Sequence, residues 1–164
     1  MQDYYRYSTV GEKMKCAVII TLLAFAELSV YGQKFGPLCG GVNRIRGCDS
    51  QGCGNFGAKR GSRTHKGVDI ICDIGTTVTA PFDVELKGQA LPYSSGKQAI
   101  NNGIRLEGQG LCFKLFYIKP DKFRGTVKKG QKIGTMLDIK SVYPGITPHV
   151  HVQMCDQSDP TKYI

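Results

Sequence analysis

Several features common in other protein classes are scarce or missing in this sequence. It holds only three histidines in 164 residues, no Cys-x-x-Cys pair and no Asn-x-Ser/Thr sequon. A cysteine-rich zinc knuckle and N-linked glycosylation are therefore not expected. No segment keeps a helical hydrophobic period, and neither a repeat nor a linker divides the chain. These absences argue against a helical bundle, a repeat protein and a chain of several domains.

The start of the chain has the layout of a secretory signal peptide. Lys15 precedes an apolar run over residues 16–30, and small residues stand before a cut near Gln33. The length of the run and an internal glutamate argue against a membrane span. We expect residues 1–32 to be an extension and signal peptide, and residues 33–164 to form one extracellular domain. Whether translation begins at the first or the second methionine is left open.

The formal net charge is +9, and the surplus lies in residues 33–164, which hold 19 basic and 10 acidic residues. Long-range attraction would draw such a protein to heparan sulfate or bacterial surfaces. Because the chain is expected to be exported, we do not expect it to bind nucleic acid. The candidate contact surface is a basic patch near the C-terminal third, formed by Lys122, Arg124, Lys128, Lys129 and Lys132. A solvated, solubilising face is the alternative.

The expected mature chain has six cysteines, an even number that in an exported protein predicts a disulfide framework: Cys39, Cys48, Cys53, Cys72, Cys112 and Cys155. The residues between Cys48 and Cys53 are turn formers, which indicates a turn closed on itself. The sequence leaves the pairing of the other cysteines open.

Alternating apolar residues and turn signals predict a mainly β, mostly antiparallel single domain. Before these strands, residues 33–67 are rich in Gly, Arg and Asn, and we expect a long loop held by disulfides. The predicted strands cover residues 67–72, 77–81, 84–88, 99–106, 111–118 and a segment from Pro148 to Cys155.

All three histidines fall in two short motifs. His149 and His151 are two apart on a predicted strand and share a face, and His65 stands four residues before Asp69. Two imidazoles and a carboxylate suit a zinc site with one open position. A partly exposed strand with two incidental histidines is the alternative.

Four motifs in order, His65-x3-Asp69, Gly75–Pro81, Val127–Gly134 and Pro148–His151, resemble the M23 (lysostaphin-like) metallopeptidase family. The resemblance implies the β fold of that family, whose active members cut glycine-containing cross-links in bacterial peptidoglycan. It also implies one zinc ion on His65, Asp69 and His151, with His149 as the neighbouring catalytic histidine. We expect the role of this ion to be mainly structural, because its ligands come together only in the native state. The cysteine pairs that the resemblance implies are Cys39–Cys72, Cys48–Cys53 and Cys112–Cys155.

One departure from the family bears on catalysis. Active relatives carry a second catalytic histidine in a Tyr-x-His motif, where this chain has Tyr117-Ile118-Lys119. A protonated lysine accepts no proton and repels a metal ion. We therefore expect an inactive homologue in which His149 is a catalytic vestige.

Segments 99–103, 116–120 and 142–146 resemble a secreted vertebrate offshoot of this family. That resemblance implies a non-catalytic immune signalling protein, cytokine-like, that binds cell-surface receptors and attracts leukocytes. An active zinc endopeptidase on peptidoglycan or Gly-rich peptides is one alternative. A module that binds glycosaminoglycan or a bacterial surface is the other.

Overall fold

The computed structural model describes residues 35–164, whose strands form two sheets and two small hairpins. The expected extension and signal peptide, residues 1–32, lie outside the described residues. Within residues 35–164, no helix is long and apolar enough to cross a membrane.

The strands of the described part are short, and two 3₁₀ helices accompany them. The strands are β1 (Cys48–Asp49), β2 (Gly52–Cys53), β3 (Lys59–Arg60), β4 (Arg63–Thr64), β5 (Val68–Ile71), β6 (Thr77–Thr79), β7 (Val84–Gln89), β8 (Gly103–Gly108), β9 (Leu111–Phe116), β10 (Ile118–Pro120), β11 (Arg124–Val127), β12 (Lys132–Met136) and β13 (His149–Met154). The 3₁₀ helices are Ile139–Ser141 and Thr161–Tyr163.

The main sheet has six antiparallel strands in the order β11-β7-β8-β9-β13-β5. A second sheet has three antiparallel strands in the order β10-β12-β6. This arrangement confirms the expected mainly β, antiparallel fold. The strand that carries His149 and His151, β13, lies between β9 and β5, so both of its edges are hydrogen-bonded.

The core is formed by the alternating apolar side chains of the central strands. Those of Leu106, Phe113, Leu115, Val150 and Val152 are fully buried, at 0% exposure. Each contributes about 1.5–3 kcal/mol through removal of apolar surface from water. The core therefore fixes β8, β9 and β13, and with them the position of the histidines.

Three disulfides link the six cysteines as Cys39–Cys72, Cys48–Cys53 and Cys112–Cys155, the pairs that the family resemblance implies. Cys39–Cys72 fixes the N-terminal loop to the end of β5. Backbone hydrogen bonds fix the same loop along β5, from Arg46 N to Asp69 O at 2.8 Å and from Ile71 N to Arg44 O at 2.9 Å. The loop thus covers the outer edge of the main sheet.

Three details differ from the sequence expectation. The segment 33–67 is not wholly irregular, because it contains the two hairpins β1–β2 and β3–β4. The strand expected from Ala99 begins at Gly103, since a turn closes with a hydrogen bond from Ile100 N to Lys97 O. The strand expected over 111–118 is divided at Tyr117, whose φ of 68° lies in the left-handed region.

Candidate metal centre

The pairing of β5 and β13 brings three of the predicted site residues together. Asp69 is directly opposite His151 in the antiparallel register, and opposed residues share a face of the sheet. His149 lies two residues earlier on that face, and His65 follows β4. These four residues are buried, with 2–8% of their surface exposed.

Three potential ligand atoms meet at this place, and all come from His65, Asp69 and His151. His65 Nε2 is 3.1 Å from Asp69 Oδ1, and His151 Nδ1 is 2.9 Å from the same oxygen. The two ring nitrogens are 2.9 Å apart. The sequence motifs His65-x3-Asp69 and His149-x-His151 thus converge although 82 residues separate Asp69 from His151.

In His65 and His151, one ring nitrogen points away from Asp69. The contact made by that nitrogen indicates whether the other nitrogen is free to bind a metal. His65 Nδ1 donates to the carbonyl of Asn55 at 2.8 Å, which leaves a lone pair on Nε2. His151 Nε2 is 3.4 Å from Gln153 Oε1, so a proton there leaves a lone pair on Nδ1. Three acceptor atoms then face one another, and a cation satisfies all three at once. This donor set fits zinc, with a backbone carbonyl orienting one histidine.

The second oxygen of Asp69 is held by arginine. Its Oδ2 accepts from Arg46 Nη2 at 2.9 Å and Nε at 3.3 Å, and Arg60 Nη2 is 3.5 Å away. Burial alone would raise the pKa of Asp69, but its close polar contacts with His151 and His65 and the nearby histidine charges hold that pKa far below its usual range. Asp69 is therefore ionised at neutral pH.

Arg46 also connects the N-terminal loop to the start of β13. Its Nη1 donates to Asp49 Oδ2 at 2.6 Å and to the carbonyl of Gly52 at 2.8 Å. The same Asp49 oxygen accepts from the backbone N–H of Thr147 at 2.9 Å, and the Thr147 carbonyl accepts from His149 Nδ1 at 2.7 Å. A hydrogen-bonded path therefore runs from Asp69 through Arg46, Asp49 and Thr147 to His149.

His149 lies beside the three ligand atoms but outside the group. Its Nε2 is 3.4 Å from Asp69 Oδ1. Burial disfavours the imidazolium and lowers the pKa of His149 to about 4, although the Asp69 charge and the Thr147 carbonyl act in the opposite direction. The ring is thus neutral at pH 7.

Tyrosines form the wall of the centre on the side of His149, and the sequence reasoning missed them. The Tyr117 ring centroid is 5.7 Å from that of His149 and 6.3 Å from that of His151. Its hydroxyl is 2.9 Å from that of Tyr93, which is 2.9 Å from that of Tyr143. Burial raises the pKa of Tyr117 to about 12. A left-handed residue in the middle of a predicted strand gives no signal in the sequence.

The other predicted site residues do not belong to this group of potential ligands. Lys119 is exposed on β10, and within residues 35–164 it has no hydrogen bond or ion pair with the cluster. In the basic patch, Lys128 pairs with Asp83 at 2.8 Å and Lys132 with Asp121 at 3.3 Å. Lys122, Arg124 and Lys129, the other members of the patch, are exposed.

The lowered pKa of His149 predicts a pH-dependent stability in metal-free protein. Above pH 6.5 the residue is neutral in both the folded and the unfolded chain. As the pH falls from 6.5 to 4, only the unfolded chain takes up the proton, so the free energy of unfolding decreases by about 3 kcal/mol. Urea unfolding at several pH values, with chelator present, measures this decrease.

The matched control is His149→Asn, which keeps a donor for the Thr147 carbonyl but does not titrate. We expect its stability to vary less than that of the unmodified protein over the same pH range. Equal pH profiles for the two proteins would contradict the assignment to His149.

Sequence comparison finds curated relatives that extend over most of the chain. This chain is 51% identical over 147 residues to "Leukocyte cell-derived chemotaxin-2" of Bos taurus, and the match covers 88% of this chain and 97% of that protein. The same-named protein of Mus musculus is 55% identical over 122 residues, covering 74% of this chain and 80% of the relative. "Myeloid protein 1" of Gallus gallus is 48% identical over 130 residues, but the match spans only 40% of its length. No protein-family model matches the chain.

Comparison with solved structures finds partial backbone similarity to two proteins. Lysostaphin, in its NMR solution structure, is 25% identical with a TM-score of 0.47, over 68% of this chain and 46% of that chain. A zinc-containing peptidase from Vibrio cholerae is 18% identical with a TM-score of 0.44, over 75% of this chain and 36% of that chain. The chain thus spans less than half of either protein.

Proposed function

We propose that this chain, which belongs to the leukocyte cell-derived chemotaxin-2 family, is a secreted, zinc-binding signalling protein. It would attract leukocytes by binding a cell-surface receptor and would not cut peptide bonds. The observation that carries the proposal is the 51% identity to the bovine chemotaxin-2 over 97% of that protein.

Zinc is the metal that the ligand atoms favour. His65 Nε2, Asp69 Oδ1 and His151 Nδ1 form a buried two-imidazole, one-carboxylate set, which is a common zinc combination. One zinc ion per chain, when bound, would supply a positive charge at these three atoms. It would thereby link His65 and β5 to β13. We assign the ion a mainly structural role, because its ligands come together only in the folded chain.

The residues around these ligands argue against peptide hydrolysis. A general base works best with a pKa near the working pH, and burial lowers the pKa of His149 to about 4. Tyr117, a phenol whose pKa is about 12, packs against His149. The exposed Lys119 does not supply the imidazole that active relatives carry in the Tyr-x-His motif.

Secretion is supported by the covalent structure. Three disulfides, of which Cys39–Cys72 and Cys112–Cys155 close loops of 33 and 43 residues, suit an oxidising compartment. The apolar run before residue 33 supports the same conclusion.

The proposal is tested by measuring zinc content, pentaglycine hydrolysis and leukocyte migration on the same oxidised sample. We expect one zinc per chain, no turnover and migration at low protein concentration. His149→Asn keeps the three proposed ligands, so we expect it to retain both zinc and migration. A protein that cuts pentaglycine, and loses both turnover and migration in His149→Asn, would instead be a zinc endopeptidase.

The peptidase remains the second candidate because His149 lies beside the ligand atoms, with its Nε2 3.4 Å from Asp69 Oδ1. Zinc with neither turnover nor migration would contradict the signalling role. A sample that binds no zinc would contradict the metal assignment alone.

A further inference from the structure

The hairpin around His65 is rich in basic residues and contains no acidic residue. No Asp or Glu occurs between Asp49 and Asp69, whereas four basic residues fall in eight positions at its end: Lys59, Arg60, Arg63 and Lys66. We call residues 59–66 the basic hairpin. It comprises β3, a Gly61-Ser62 turn, β4 and the two residues that follow.

The pairing of β3 and β4 places like charges opposite each other. Arg60 and Arg63 are cross-strand partners, and like charges at such positions are destabilising. Arg60 is partly compensated by Asp69 at 3.5 Å. Among residues 35–164, no acidic side chain forms an ion pair with Lys59, Arg63 or Lys66. The hairpin therefore has positive charge that an external anion can neutralise.

The hairpin is held firmly despite its short strands. His65 N donates to the Ala58 carbonyl at 2.8 Å, and Gly57 N donates to the His65 carbonyl at 2.9 Å. These bonds extend the ladder of β3 and β4 to the buried metal centre. Because opposed residues share a face, Arg60 and Arg63 lie on one face of the hairpin. Lys59 and Thr64 lie on the other, and Lys66 is exposed just beyond the end of β4.

We propose that the basic hairpin is the binding surface for a sulfated polysaccharide such as heparan sulfate. Lys59, Arg63 and Lys66 are exposed within eight positions, which suits a polyanion with closely spaced charges. Arginine also pairs well with planar or tetrahedral oxyanions. An anionic membrane is less well matched, because exposed Gly61 and Ser62 form the tip and offer no apolar side chain for insertion. The hairpin also has no Phe, Tyr or Trp on which a nucleic-acid base could stack, and the His65 ring is buried.

This surface differs from the basic patch that the sequence suggested. There, Asp83 and Asp121 neutralise Lys128 and Lys132, and the positive charges are spread over several elements. The inference also does not depend on zinc or on receptor binding, because it rests on the charge and pairing of the hairpin.

The test compares two double variants that remove the same charge from exposed positions. Lys59→Ala/Arg63→Ala changes the hairpin, and Lys122→Ala/Arg124→Ala changes the patch. Binding of the oxidised protein to a defined heparin oligosaccharide is measured at several NaCl concentrations, and thermal melting checks that both variants remain folded. We expect the hairpin variant to bind roughly fivefold or more weakly, with a smaller salt dependence, and the patch variant to lose less.

Four outcomes overturn the proposal. Two concern the variants: an equal loss of heparin affinity in both, or a larger loss in the patch variant. Two concern the unmodified protein: no binding to heparin at 0.15 M salt, roughly physiological, or binding to phosphatidylserine vesicles but not to heparin. Heparin binding that is lost mainly in the hairpin variant supports it.

Discussion

Removal of the proposed zinc ion by a chelator is expected to lower the melting temperature by roughly 10–15 °C. The ligands His65 and Asp69 precede β6, whereas His151 lies on β13, so the ion joins distant parts of the chain. Without a cation, three electronegative atoms remain within 3.1 Å of one another in a buried site. A ligand present at about 1,000 times its Kd stabilises the folded state by about 4 kcal/mol, which gives a shift of this size. Differential scanning calorimetry with and without chelator measures it.

Two variants separate loss of the ion from other effects. His151→Ala removes a proposed ligand, and we expect it to melt like the chelated protein and to respond little to added zinc. His149→Asn leaves the three ligands in place, and its melting temperature should still rise when zinc is added. The structural role of zinc would be refuted by metal-free and metal-loaded proteins that melt at the same temperature.

Replacement of Arg46 by methionine is expected to reduce the free energy of unfolding by about 3–5 kcal/mol. The arginine side chain is 2% exposed and pairs with Asp69, which is 3% exposed, and with Asp49, which is 14% exposed. Its loss leaves two largely buried carboxylates without their main counter-charge. Chemical unfolding in urea, with metal removed, measures the change.

Arg44→Met is the matched control, since Arg44 is exposed, lies two residues earlier on the same loop, and forms no ion pair among residues 35–164. We expect its effect to stay within about 0.5 kcal/mol. Arg46→Met should also weaken zinc binding by about 10–100-fold, as is usual when a partner of a metal ligand is lost. Equal stabilities of the two variants would contradict the role given to Arg46.

The position of the candidate ligand residues follows in part from strand geometry, which the sequence already indicates. A period of two places His149 and His151 on one face, and the structure has both on β13 with buried side chains. The residue types in the two motifs suggested that they share one zinc site, and the family resemblance assigned the ligand roles to His65, Asp69 and His151 rather than to His149.

The surroundings of the centre could not be predicted in this way. Arg46 lies in a segment without hydrophobic periodicity, so nothing in its spacing distinguishes it from the exposed Arg44. Tyr93 and Tyr143 meet although 50 residues separate them, and the left-handed Tyr117 interrupts a run of residues that reads as one strand. Such contacts depend on tertiary packing, which overrides local preference.

The strand order of the main sheet sets a constraint on folding. β13 is the last strand in the chain, yet it occupies the space between β9 and β5. A partly folded molecule that has formed the β7–β8–β9 meander but not yet inserted β13 presents β9, with its sequence Leu-Cys-Phe-Lys-Leu-Phe, as an unpaired edge. Edges of this kind recruit strands from other molecules. Conditions that slow the insertion of β13 therefore favour intermolecular β assembly over the native fold.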